Sequence, residues 1–176
     1  MDNKNINKKA IKCILIGDFS VGKTSILQWQ YWYSFKVHQV QIGLDLNTTI
    51  VQIEDKRINF QFLEGSSYYI KHIFQSGIYK HVDIFVVVYD ITNRETFEGV
   101  YQLCQDCSKK SNQDPVFIIV GSKQDLYNER QISYQEGSEL AKSLGFAFFE
   151  ISAKTGYQVE ELFEYLIKYM INLDKY

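Results

Sequence analysis

The chain has 176 residues, 45% of them hydrophobic and 15% aromatic, which suits one domain with a substantial core and excludes a chain disordered as a whole. Its formal charge of −2 supplies no basic excess for nucleic acid or an anionic membrane surface. No apolar run approaches the ~18 residues of a membrane span.

Residues 1–9, rich in Lys and Asn, read as a flexible N-terminus, and 10–176 as one domain. The first strand is expected over Ile11 to Ile16. It leads into Gly17-Asp18-Phe19-Ser20-Val21-Gly22-Lys23-Thr24-Ser25, the spacing G-x-x-x-x-G-K-[ST]. A strand, a glycine-rich turn and then a helix are what a phosphate-binding loop needs. Backbone N–H groups turn inward, and the helix N-terminus adds to an anion site. Gly17, Ser20, Val21, Gly22, Lys23, Thr24 and Ser25 are the candidate phosphate-binding residues. Lys23 would reach the β- and γ-phosphates, and the Thr24 hydroxyl would ligate Mg²⁺. A bound nucleotide is implied; the loop alone does not say which.

A helix is expected from Lys23 to about Tyr33. Leu44 to Ile53 and Arg57 to Leu63 read as a strand pair joined by Glu54-Asp55-Lys56. In the second, Ile58, Phe60 and Phe62 alternate with Asn59 and Gln61, the period of a half-covered strand, and the pair reads as an antiparallel hairpin at a sheet edge. Ile84 to Tyr89, Val116 to Val120 and Phe146 to Ile151 are continuous apolar runs, as in parallel strands covered on both faces. Helices are expected near Tyr68–Tyr79, Glu95–Lys109, Tyr134–Leu144 and Gln158–Asn172. The last carries Val159, Leu162, Phe163, Leu166 and Met170 at helical spacing, a stripe that packs on the sheet. The sum is a doubly wound α/β domain, a six-stranded mostly parallel sheet with about five helices, binding ligands at the carboxyl ends of its strands. Cys13 reads as a small core residue. Cys104 and Cys107 read as two free thiols one helical turn apart, in a reducing compartment.

Two later segments speak to the base. Val120-Gly121-Ser122-Lys123-Gln124-Asp125 and Glu150-Ile151-Ser152-Ala153-Lys154 each follow a buried strand. With the phosphate loop, and with the stretch from Val88 to Phe97, they make the chain similar to the Ras superfamily of small GTPases, most closely its Rab branch, over roughly residues 10 to 172. The resemblance implies a P-loop NTPase small G-domain that binds GTP or GDP with Mg²⁺. It implies that Asp125 accepts from guanine N1–H and the 2-amino group, that the Lys123 stem packs on the base, and that the Ala153 N–H meets O6. Adenine would leave that carboxylate unpaired. Ser152 and Lys154 complete this segment, and Phe35 is the candidate for contact with the base from the loop after the first helix. Ser122 replaces the family's Asn, and its hydroxyl offers fewer bonds, so guanine affinity is expected to weaken by ~1 kcal/mol.

The pattern fails where hydrolysis and switching are carried. Gln41 stands in place of the first switch threonine, as a poorer Mg²⁺ ligand. Glu64 keeps a carboxylate for the metal, one methylene longer; Ser67 replaces a glycine; Tyr68 replaces the glutamine that orients the attacking water. Phe19 and Ser20 stand where the family has small residues, and Phe19 would put a ring beside the γ-phosphate. No residue is assigned as catalytic, and GTP hydrolysis is expected to be slow or absent. The aromatic run Trp29, Tyr31, Trp32, Tyr33, Phe35 is in part core, since the end of the first helix packs on the sheet. With the segment Tyr68, Tyr69, Ile73, Phe74 the rest reads either as local packing or as a switch-side surface for a protein effector or for self-association.

Asp2 stands where myristoylation requires glycine, and Leu173 to Tyr176 hold no cysteine for prenylation. The expectation is a cytoplasmic domain without a lipid anchor in this chain, associating with membranes only if a tail or second domain exists beyond residue 176. Two readings compete: a Rab-like switch in vesicle trafficking, impaired in hydrolysis, and a pseudo-GTPase scaffold that holds nucleotide without switching. A P-loop kinase or ATPase is a third, which Asp125 and Ser152-Ala153-Lys154 oppose.

Overall fold

The computed structural model describes residues 11–29, 41–42, 48–53, 56–66 and 81–172. Strands β1 (Ile11–Gly17), β2 (Gln41–Ile42), β3 (Thr48–Ile53), β4 (Lys56–Ser66), β5 (Ile84–Asp90), β6 (Val116–Ser122) and β7 (Ala147–Glu150) form one sheet in the order β2-β3-β4-β1-β5-β6-β7. The expected six strands are corrected in detail. Five of them, β4-β1-β5-β6-β7, pair in parallel, β3 runs antiparallel to β4, and the two-residue β2 is added beyond it. β4 also runs further than the sequence suggested. Glu64, Gly65 and Ser66 continue it, pairing with Leu15, Ile16 and Gly17 of β1.

The described helical segments are α1 (residues 23–29), α2 (Arg94–Glu98), α3 (Val100–Lys110), α4 (Tyr134–Leu144) and α5 (Val159–Asn172), with a 3-10 segment over Gln124–Glu129. The single helix expected over Glu95–Lys109 is interrupted at Gly99. Asn93 caps α2 by accepting from the Glu95 N–H. Ser133 and Glu136 form a reciprocal capping box at α4. The helix expected near Tyr68–Tyr79 lies outside the described residues, as do Phe35, Ser67, Tyr68 and the aromatic segments around them, Trp29 excepted.

Alternation along β1 divides the core. Cys13 and Leu15 face one cluster, with Ile26 of α1 and with Val159, Leu162, Phe163 and Leu166 of α5. Ile14 and Ile16 face the other, with Val100, Cys104 and Cys107 of α3 and Ala141 of α4. The expected apolar stripe of α5 is thus buried against the sheet. All three cysteines are buried and free, and burial holds the Cys104 and Cys107 thiols up at about 12, which suits packing and not redox chemistry. Among the described residues no helix is long and apolar enough to cross a membrane. α1 leaves β1 toward the first face, and α3 follows β5 onto the second. The connections from these neighbouring strands therefore diverge and open a crevice at their carboxyl ends.

Candidate functional site

The crevice has a phosphate-side half built on β1 and α1. At Gly17 the chain passes so close to β5 that a Cβ would stand 2.1 Å from the Val88 carbonyl oxygen. Gly22, at φ +97, has open space where a Cβ would be. Ser20 also takes a left-handed conformation, φ 61. These turns bring Lys23 back over the loop, where its Nζ donates to the carbonyls of Gly17 (3.0 Å) and Asp18 (2.5 Å). Lys23 is buried, and desolvation lowers its pKa below the ordinary lysine value while the Glu64 and Asp18 carboxylates pull it back up. The Thr24 hydroxyl donates to Glu64 Oε2 at 2.8 Å. The extended pairing of β4 with β1 explains this contact, because it carries Glu64 alongside Leu15 toward the loop. A cleft of roughly 380 Å³ opens here, lined by Lys23, Thr24, Ser25, Glu64 and Ser20, with the Phe19 ring at 62% exposure on its wall.

The second half lies at the ends of β6 and β7. A cleft of roughly 700 Å³ is lined by Lys123, Asp125, Ala153 and Lys154, by Ser122, and by Trp29 of α1. Gly22 and Ser25 line both clefts, so the two are neighbours across the start of α1. Asp125 Oδ1 accepts from the Ser152 hydroxyl at 2.6 Å, and Oδ2 lies 3.7 Å from the exposed Lys154 ammonium. Ser152 Oγ in turn accepts from the Thr155 N–H. Lys123 sits at φ 63, and its Nζ pairs with Asp90 Oδ2 at 2.5 Å. Asp90 Oδ1 is fixed by the N–H and hydroxyl of Thr92. Behind this wall Arg130 makes a two-pronged pair with Glu150, at 2.6 and 2.8 Å, just ahead of Ser152.

The structure thus brings together Gly17, Ser20, Val21, Gly22, Lys23, Thr24, Ser25 and Glu64 on one side and Ser122, Lys123, Asp125, Ser152, Ala153 and Lys154 on the other. Ser122 lines the base-side cleft, but its hydroxyl is committed to the carbonyls of Val21 (2.5 Å) and Tyr89 (2.9 Å). It ties the phosphate loop to the sheet. Gln41 enters β2, where its backbone alone is described; Phe35 and Tyr68 lie outside the described residues.

Two residues went unassigned in the sequence. Asp90 ends a buried strand as an acid, a signal that was visible. Trp29 sat within an aromatic run read as core or surface, and nothing in that run marked it as a cleft residue.

The site can hold an anionic group over Lys23 and the open backbone at Gly22. It can place a planar ring with adjacent N–H donors against the Asp125 carboxylate. The donors Thr24 Oγ1 and Glu64 Oε2 are hard oxygens, which fit Mg²⁺, a cation that takes few protein ligands beside phosphate oxygens and water. A family model described as the Ras family matches residues 12–172, nearly the whole chain.

Proposed function

The chain belongs to the Ras family, and from that premise we propose that it is a Rab-like guanine-nucleotide-binding domain in vesicle trafficking whose GTP hydrolysis is slow. As a small GTPase domain it binds guanine nucleotide. In the proposed arrangement Asp125 accepts from guanine N1–H and the 2-amino group, held ready by Ser152. The Lys123 stem, fixed by Asp90, covers one face of the base, and Ala153 meets O6. Lys23 and the loop from Gly17 to Gly22 bind the phosphates. Thr24 and Glu64 would hold Mg²⁺, which when bound neutralises charge between the β- and γ-phosphates. The Rab-like assignment rests on the stretch from Val88 to Phe97, and the proposed location is the cytoplasm.

Slow hydrolysis rests on one observation above the others: the Phe19 ring lines the same cleft as Lys23, Thr24 and Glu64. A ring there takes the space through which an attacking water or a partner's arginine would approach the γ-phosphate, and Tyr68 offers no carboxamide to orient that water. The nucleotide that co-purifies with the protein tests this. GTP is expected. GDP would contradict slow hydrolysis, and an adenine nucleotide would contradict the base assignment.

A second reading, a scaffold that holds nucleotide without switching, is favoured by the Thr24–Glu64 hydrogen bond. It closes the two metal donors on each other at 2.8 Å. Hydrogen exchange of residues 34–46 and 64–75 separates the two. A switch protects them with GTP and not with GDP, and a scaffold shows no difference.

A further inference from the structure

The segment from Ser152 to Gly156 is anchored from two directions. From the 3-10 segment after β6, Asp125 accepts from the Ser152 hydroxyl. From α1, the Trp29 indole N–H donates to the Ala153 carbonyl, and the ring lies against Gly156. A Cβ at Gly156 would stand 2.8 Å from Trp29 Cη2 and 3.1 Å from Cζ2. The turn closes on itself as well, the Gly156 N–H donating to the Ser152 carbonyl at 2.8 Å. Trp29 therefore grips the turn near its start and at its end. It does so from the helix that begins with Lys23 and Thr24, and its ring lines the base-side cleft.

We propose that Trp29 is a positioning residue for base recognition: its indole holds the turn from Ser152 to Gly156 so that Ala153 and the Ser152–Asp125 pair stay aligned for the guanine edge. The proposal rests on the guanine reading of the site. Ser122 ties the phosphate loop to β5 and β6 through Val21, and Trp29 ties α1 to the turn after β7. These two bridges span the phosphate and base halves, so loss of the second loosens the base side while leaving Lys23 and Thr24 in place. The aromatic character of position 29 thus has a use inside the cleft, separate from any partner surface formed by the aromatic residues after it.

Calorimetry with GDP and 6-thio-GDP, which carries a weaker acceptor at the 6-position, tests this on the purified chain. Trp29→Phe keeps an aromatic side chain on α1 but removes the N–H and the far edge of the indole that lies against Gly156. It is expected to weaken GDP binding about fivefold, the loss of one hydrogen bond, and to narrow the preference for GDP over the thio analogue. Gly156→Ala drives a Cβ into the ring from the other side and should narrow the same preference. If both variants keep the wild-type preference, whether by binding both ligands normally or by losing both in equal proportion, the positioning role is overturned. A wild-type chain that binds neither ligand overturns the reading of the site itself.

Discussion

Replacing Asp125 with alanine removes the group on which the proposed guanine recognition turns. The carboxylate is largely buried, with 13% of the side chain exposed, and already accepts from Ser152 at 2.6 Å. Two of its lone-pair directions are left for the N1–H and 2-amino donors of guanine. A hydrogen bond to a charged acceptor contributes about 1.5–3 kcal/mol, so two give about 3–6 kcal/mol if they add. They add incompletely, because water enters the vacated space and the Ser152 hydroxyl turns elsewhere. About 3–4 kcal/mol is the reasonable loss, or roughly a 10²–10³-fold rise in Kd. Displacement of a fluorescent GDP analogue gives the affinity, and the melting temperature without nucleotide controls for folding. Binding of ADP should already be weak in the wild type and change little in Asp125→Ala. A variant that folds and still binds GDP within threefold of wild type would mean that Asp125 does not read the base.

Three further outcomes are expected. Arg130→Met strands the Glu150 carboxylate, whose side chain is 5% exposed, and should cost about 3 kcal/mol in urea unfolding. That is the low end for broken buried pairs, because a quarter of the Arg130 side chain meets solvent. A loss below ~1 kcal/mol would show the pair to be idle, and Arg130→Met combined with Glu150→Met should recover most of the stability. Arg94, with the Ser133 N–H and hydroxyl, holds the Glu136 carboxyl down at about 2 from its ordinary 4.5. Its folded value is depressed, so its contribution is whole above pH 4.5 and is lost as pH falls through 2. Glu136→Gln should flatten the acid limb of a thermal-melt profile across that window; an unchanged limb would remove Glu136 from the cause. Phe19→Gly opens the wall of the phosphate cleft, and if the ring is the obstacle, single-turnover hydrolysis rises at least tenfold, most of all with Tyr68→Gln. No change in either variant would place the obstacle elsewhere.

The parallel body of the sheet was legible because β1, β5 and β6 are short apolar runs buried on both faces, a pattern that little else produces. The far end of β4 was not. Glu64-Gly65-Ser66 has the composition of a turn, and its pairing with Leu15, Ile16 and Gly17 overrides that preference. Among site residues, Lys23 and Thr24 could be found because they sit at a fixed spacing after a strand end, and Asp125 and Ser152 because the segments after two later strands resemble those of the small GTPases. Asp90 and Trp29 act through partners 33 and 124 positions away, Lys123 and Ala153, and no local pattern carries such a pairing. Ser122 shows the reverse case. Its place in the motif was readable, but the two carbonyls that claim its hydroxyl came from other strands and loops.

Single-turnover hydrolysis by the purified wild-type chain, loaded with radiolabelled GTP and Mg²⁺, bears most directly on the proposal that this guanine-nucleotide-binding domain turns GTP over slowly. The intrinsic rate of the family's best-studied member is on the order of 10⁻⁴ s⁻¹. The prediction is stable loading with GTP and a rate at least about tenfold below that figure. Failure to load, or hydrolysis at or above that figure, would contradict it.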